Sequence, residues 1–124
     1  MIKYPVQVTI EKALPSRARP AIPVTMIVLH ATGGSTFSGA YETLVSRGLS
    51  YHYLIEDERG TDGLVHKCVA TSRVAFHAGN SYGPNEKARG VSLAQDRASN
   101  FVAGCSVNNY TIGISFVNRD TGSD

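Results

Sequence analysis

The side chains best able to do chemistry at neutral pH in this chain are four histidines, His30, His52, His66 and His77. A neutral imidazole accepts protons, donates them, or binds a metal through its bare nitrogen. His30 stands apart by position. It ends the apolar run Val24-Thr25-Met26-Ile27-Val28-Leu29 and is followed by Ala31-Thr32-Gly33-Gly34. Such a run, bounded by turn residues, reads as a strand in the core of a sheet. A side chain where that strand emerges is held by the sheet yet open to a cleft, which a metal ligand or catalytic group requires. A structural histidine capping the strand accounts for the same pattern.

Other reactive residue types are less informative. Cys68 and Cys105 are the only cysteines, widely spaced, with no second Cys or His near either in a compact metal motif. They read as two inert buried thiols, with a single disulfide left open. Glu56, Asp57 and Glu58 precede Arg59-Gly60-Thr61-Asp62-Gly63 and read as a solvated turn. Arg17 and Arg19 lie in a Pro-rich stretch and argue only weakly for an anion site.

The elements that must carry these residues follow from periodicity. Residues 6–10 alternate as a short edge strand, and residues 15–23 form a connector before the strand 24–30. Phe37, Ala40, Tyr41, Leu44 and Val45 recur at helical spacing, with Ser35 or Thr36 able to cap the start and Gly48 the end. Residues 50–55 and 64–69 read as the strands of a hairpin. Residues 72–79 read as a short helical turn ending in Phe76-His77-Ala78-Gly79, and 91–103 as a weak helix. In the last strand, 110–117, Ile112, Ile114 and Phe116 share one face and Thr111, Gly113, Ser115 and Val117 the other.

With 124 residues, 42% of them apolar and 18% charged, the chain reads as one globular domain over residues 1–124. A net charge of +2 is too small to argue for nucleic acid or a membrane surface. No apolar run is long enough to span a bilayer, and Met1-Ile2-Lys3-Tyr4-Pro5 lacks the apolar region of a signal peptide.

Four segments then fall in order: Leu29-His30-Ala31-Thr32, Ser50-Tyr51-His52-Tyr53, Phe76-His77-Ala78-Gly79 and Asn108-Asn109-Tyr110-Thr111-Ile112-Gly113-Ile114. Together, with the polar hairpin between the second and third, they resemble the zinc-dependent N-acetylmuramoyl-L-alanine amidases, which include phage lysozyme-amidases and are related to the peptidoglycan recognition proteins. The resemblance covers residues 24–118. It implies an α/β fold, a mixed central β-sheet flanked by helices, with a zinc in a cleft at one sheet edge. It implies cleavage of the amide between N-acetylmuramic acid and L-alanine by zinc-activated water.

Residue by residue, the resemblance makes His30 the first zinc ligand. It makes Tyr51 the catalytic tyrosine that orients the water or stabilises the oxyanion. It makes His77 a substrate-binding residue of the cleft. Ser115 stands where another branch of the family places a glutamate base, and serine cannot fill that role without an activating partner. Together with Tyr51, this favours the phage-like branch. Strand alternation turns His52 away from a cleft that Tyr51 faces, and His52 and His66 both read as structural.

The chain departs from the pattern downstream. The family's remaining two zinc ligands, its C-terminal helix and a lysine used in phage members lie beyond the last strand. Here seven residues follow Val117 and no His follows His77. The expectation is therefore a domain lacking its C-terminal helix, with an incomplete zinc site and no activity by itself. A non-catalytic muropeptide-binding module that has lost zinc ligands is the alternative, and a fragment with neither property is a third. The partner in either functional reading is peptidoglycan. The sheet face of Ile112, Ile114 and Phe116, with Ile27 and Leu29, is expected to be uncovered and to offer a surface for self-association. The expected location is cytoplasmic until release to the wall at phage lysis, or cytoplasmic throughout as for a recycling amidase.

Overall fold

The computed structural model describes residues 12–32, 34, 36–56, 64–79 and 105–117. Among these, the strands are β1 (Ser16–Ala18), β2 (Met26–Ala31), β3 (Tyr53–Glu56), β4 (Val65–Lys67), β5 (Arg73–Ala75) and β6 (Thr111–Val117). Helix α1 (Phe37–Arg47) follows β2, and a 3₁₀ turn (Val107–Tyr110) leads into β6. The larger sheet has the order β2-β6-β3-β4. Its first three strands are parallel, and β4 returns antiparallel to β3 as the expected hairpin. This is the mixed α/β fold.

The helix ends are set by their caps. Thr36 has extended backbone and its hydroxyl accepts the Gly39 N–H at 3.1 Å. At the other end Gly48 takes the left-handed conformation, φ 65°. That turn lets Leu49 N–H reach the Leu44 carbonyl and Gly48 N–H the Val45 carbonyl, satisfying the last turn. Ala40 and Leu44 are buried against Leu54, Val117, Cys68, Val69 and Ala75, with Phe37 and Tyr41 packed beside them. Val45, expected on this apolar face, lies at its margin and is exposed.

Alternation along β6 sorts the sheet faces as expected. Thr111, Gly113, Ser115 and Val117 are buried on one face, while Ile112 and Ile114 are half-buried and Phe116 is exposed on the other. Register places Ile27 beside Ile112 and Leu29 beside Ile114. Both β2 residues are 64% exposed, so this outer apolar face is open to solvent.

Two segments differ from their sequence reading. The connector 15–23 contains β1, and the supposed helical turn 72–79 contains β5; the two pair antiparallel, Ser16 to Ala75 and Ala18 to Arg73. Three residues are too few to show a period, so neither strand has an alternating signature. Pairing is decided instead by burial of Val74 and Ala75 and by a side-chain bond from Arg73 Nε to Ser16 Oγ. The expected strand 6–10 and helix 91–103 lie outside the described residues.

Candidate active site

His30 sits at the carboxyl end of β2, with Ser115 of β6 as its register partner. Parallel strands place ligand sites at their carboxyl ends. The buried face of central strand β6 carries only small groups at Thr111, Gly113 and Ser115. That leaves room for rings from both flanks to meet above it. The His30 ring lies 5.1 Å from the Tyr51 ring and 5.2 Å from the His77 ring, centroid to centroid. Tyr51 and His77 are 6.2 Å apart, and His52 and His77 6.3 Å. The structure thus brings His30, Tyr51 and His77 into one cluster, while His66 stays apart, stacked on Phe37 and bonded to Glu56.

Each ring has a defined electrostatic state. Burial lowers the pKa of His30, so it is neutral at neutral pH. Burial raises the pKa of Tyr51, partly offset by the Ser115 hydroxyl facing it, so Tyr51 remains a phenol able to donate a hydrogen bond. Ser115 Oγ is fully buried and has no hydrogen-bond partner of ordinary geometry among the described residues. Tyr51 also lines a pocket of about 200 Å³ with Ala31, Thr32, Thr43, Arg47 and Leu49.

His77 is held more tightly than any of these. Its Nε2 lies 2.9 Å from Thr111 Oγ1 and its Nδ1 3.1 Å from His30 Nε2. Its backbone N–H and that of Ala78 both donate to Asn108 Oδ1, at 3.2 and 2.9 Å. Phe76 exchanges bonds with Ser50, and Gly79 turns the chain with φ 57°. The ring is only 9% exposed, and burial, with His30, His52 and Arg19 nearby, lowers its pKa to about 3. The expected substrate contact therefore occupies a largely interior place behind His30.

His52 is fully buried, and its role is structural for a reason other than alternation. It precedes β3 in a bend, on the same side as His77. Its Nδ1 accepts the Gly113 N–H at 3.0 Å, so Nε2 carries the proton and donates to the Arg73 carbonyl at 2.8 Å. Arg19 spends its guanidinium on the carbonyls of Thr71, Asn109 and Thr111, and Arg17 bonds Asn109 Oδ1. The two arginines are staples rather than an anion site. Cys68 is buried, with its thiol pushed up to about 11, and forms no disulfide with Cys105.

Sequence reasoning missed the roles of Asn108, Thr111 and Gly113, although all three stand in the fourth segment. An isolated glycine in an alternating strand was the available signal, because it marks close approach of another group.

Among the described residues no group of three or more His, Cys, Asp and Glu side chains is placed to hold a metal. His30 has the donor chemistry of a zinc ligand, but the described residues do not complete such a site.

The family model for N-acetylmuramoyl-L-alanine amidase matches residues 20–124, and the chain belongs to that family. No curated protein matches it. Among the described residues no helix is long and apolar enough to cross a membrane.

Proposed function

We propose that the chain acts on peptidoglycan as an amidase of the phage-lysis type, cleaving the amide between the lactyl group of N-acetylmuramic acid and L-alanine. The observation that carries this reading is the neutral His30 imidazole set 5.1 Å from the Tyr51 ring, beside a pocket that Tyr51 lines. His30 would serve as one zinc ligand, the remaining ligands coming from outside the described residues. Zinc, when bound, supplies an activated water and polarises the carbonyl.

The chain's own residues do the rest. The Tyr51 phenol donates a hydrogen bond to the oxygen on which charge develops at the tetrahedral stage. Its burial keeps the proton on the phenol at neutral pH. The adjoining pocket between α1 and the strand end receives the substrate beside the Tyr51 phenol.

The test is digestion of purified peptidoglycan in the presence of zinc, with labelling of newly exposed alanine amino groups. The chain by itself, with His30 the one assigned ligand, should release none; amines that appear with a version carrying the full zinc ligand set and vanish with His30→Ala support the reading. Retention of that version on peptidoglycan without new amines would replace the reading with the muropeptide-binding module.

A further inference from the structure

We propose that His77 is a positioning residue that sets the tautomer of His30, holding the His30 proton on Nε2 and leaving Nδ1 as its basic nitrogen. The assignment follows from counting protons along one chain of contacts. Thr111 Oγ1 lies 2.9 Å from the Val107 carbonyl oxygen, which can only accept, so the single hydroxyl proton points there. The same oxygen lies 2.9 Å from His77 Nε2 and must accept from it. The neutral His77 ring therefore carries its proton on Nε2 and presents a bare Nδ1. That nitrogen faces His30 Nε2 at 3.1 Å, and the contact is a hydrogen bond only if His30 supplies the proton. His30 Nδ1 is left bare, with no hydrogen-bond partner among the described residues.

The surroundings of His77 suit this task. Asn108 Oδ1 grips two successive N–H groups of its segment, and Gly113 lets the ring lie against β6. A surface residue meant to adapt to a ligand would not need such confinement. A histidine whose outer nitrogen binds an electrophile commonly has its inner N–H held by a second group, which fixes ring and tautomer together. Here a neutral imidazole is the holder.

The bearing of this arrangement on catalysis rests on the amidase reading; the tautomers themselves do not. The experiment is long-range ¹H–¹⁵N correlation on the ¹⁵N-histidine-labelled chain, metal-free, at neutral pH. His30 and His77 are both expected to be protonated on Nε2. Thr111→Val removes the acceptor while preserving shape, which frees His77 to protonate on Nδ1 and donate to His30, driving the His30 proton to its own Nδ1. Thr111→Ser restores the wild-type pattern. A wild-type spectrum with the His30 proton on Nδ1 overturns the proposal, as do unchanged tautomers in Thr111→Val. The wild-type spectrum decides even if that variant fails to fold. In the peptidoglycan assay Thr111→Val should lower turnover about 10- to 100-fold. Failure of a version with the full zinc ligand set to cleave would sink the amidase reading and leave the tautomer result standing.

Discussion

Gly113→Ala tests the packing of the cluster most directly. A Cβ built at residue 113 would sit 2.5 Å from both Cγ and Cδ2 of His77 and 2.9 Å from its Nδ1. Carbon atoms rest comfortably at about 3.5–4.0 Å, so the ring must retreat by about 1 Å. It cannot do so freely, because Thr111 and His30 hold its two nitrogens and Asn108 holds its backbone. A displacement of that size bends both ring bonds away from their preferred geometry. Overpacking of this kind costs about 1–3 kcal/mol, and weakening two buried hydrogen bonds adds to it. Replacing glycine in a strand returns only about 0.5–1 kcal/mol. A net loss of about 2 kcal/mol is expected, a fall in Tm of about 8 °C for a chain of this size. The assay is thermal unfolding in a double-mutant cycle with His77→Ala, which removes the ring that the methyl meets. In that background Gly113→Ala should cost almost nothing, a coupling of about 2 kcal/mol. An equal cost in both backgrounds would refute the claim that His77 is why residue 113 is glycine.

In a version with the full zinc ligand set, Tyr51→Phe should lower peptidoglycan turnover about 10²-fold, the usual loss for one oxyanion donor, with thermal stability nearly unchanged; wild-type turnover would remove Tyr51 from the mechanism. Ser115→Ala should leave turnover near wild type and raise the Tyr51 pKa further, since the hydroxyl that favours the phenolate is lost; ¹³C-tyrosine NMR against pH reads it. The folded pKa of His77, about 3, lies below the unfolded value of 6.5, so the unfolded chain binds the extra proton between them. Stability is complete above pH 6.5 and falls as pH drops towards 3, by about 1.4 kcal/mol per unit from this residue; urea unfolding at two pH values should show it, and His77→Phe should reduce the slope by one proton. Leu54→Ala, at a fully buried site, should cost about 2–5 kcal/mol, whereas Leu29→Ala, 64% exposed, should stay within about 0.5 kcal/mol by denaturant titration.

The fold was legible wherever a period ran long enough to repeat. Helix α1 announced itself through Phe37, Ala40, Tyr41 and Leu44, and its ends through Thr36 and Gly48. Strand β6 did so through the alternation of Ile112, Ile114 and Phe116 with Thr111, Gly113 and Ser115. Strands β1 and β5 were invisible because each is three residues long and the pair is separated by more than fifty residues of sequence. His52 was assigned a structural role from alternation that does not operate there, since the chain bends before β3. The ring bonds to the Gly113 N–H and the Arg73 carbonyl are what make that role, and both depend on sheet register.

The site shows a different limit. The resemblance supplied His30, Tyr51 and His77 as a set, but no spacing in the sequence says how they touch. Their meeting depends on β6 lying between β2 and β3 with small residues on its inner face. Gly113 works on both sides of that arrangement, giving its N–H to His52 and its missing side chain to the ring of His77. The electrostatics follow from the same crowding. Beside burial, the neighbours that lower the pKa of His77 are His30, His52 and Arg19, all of which oppose a proton there. Arg19 is itself tied to backbone carbonyls and cannot swing away. Proton binding at His77 is thus disfavoured well below neutral pH, and burial works in the same direction at His30, so both rings favour the neutral form that can offer a bare nitrogen.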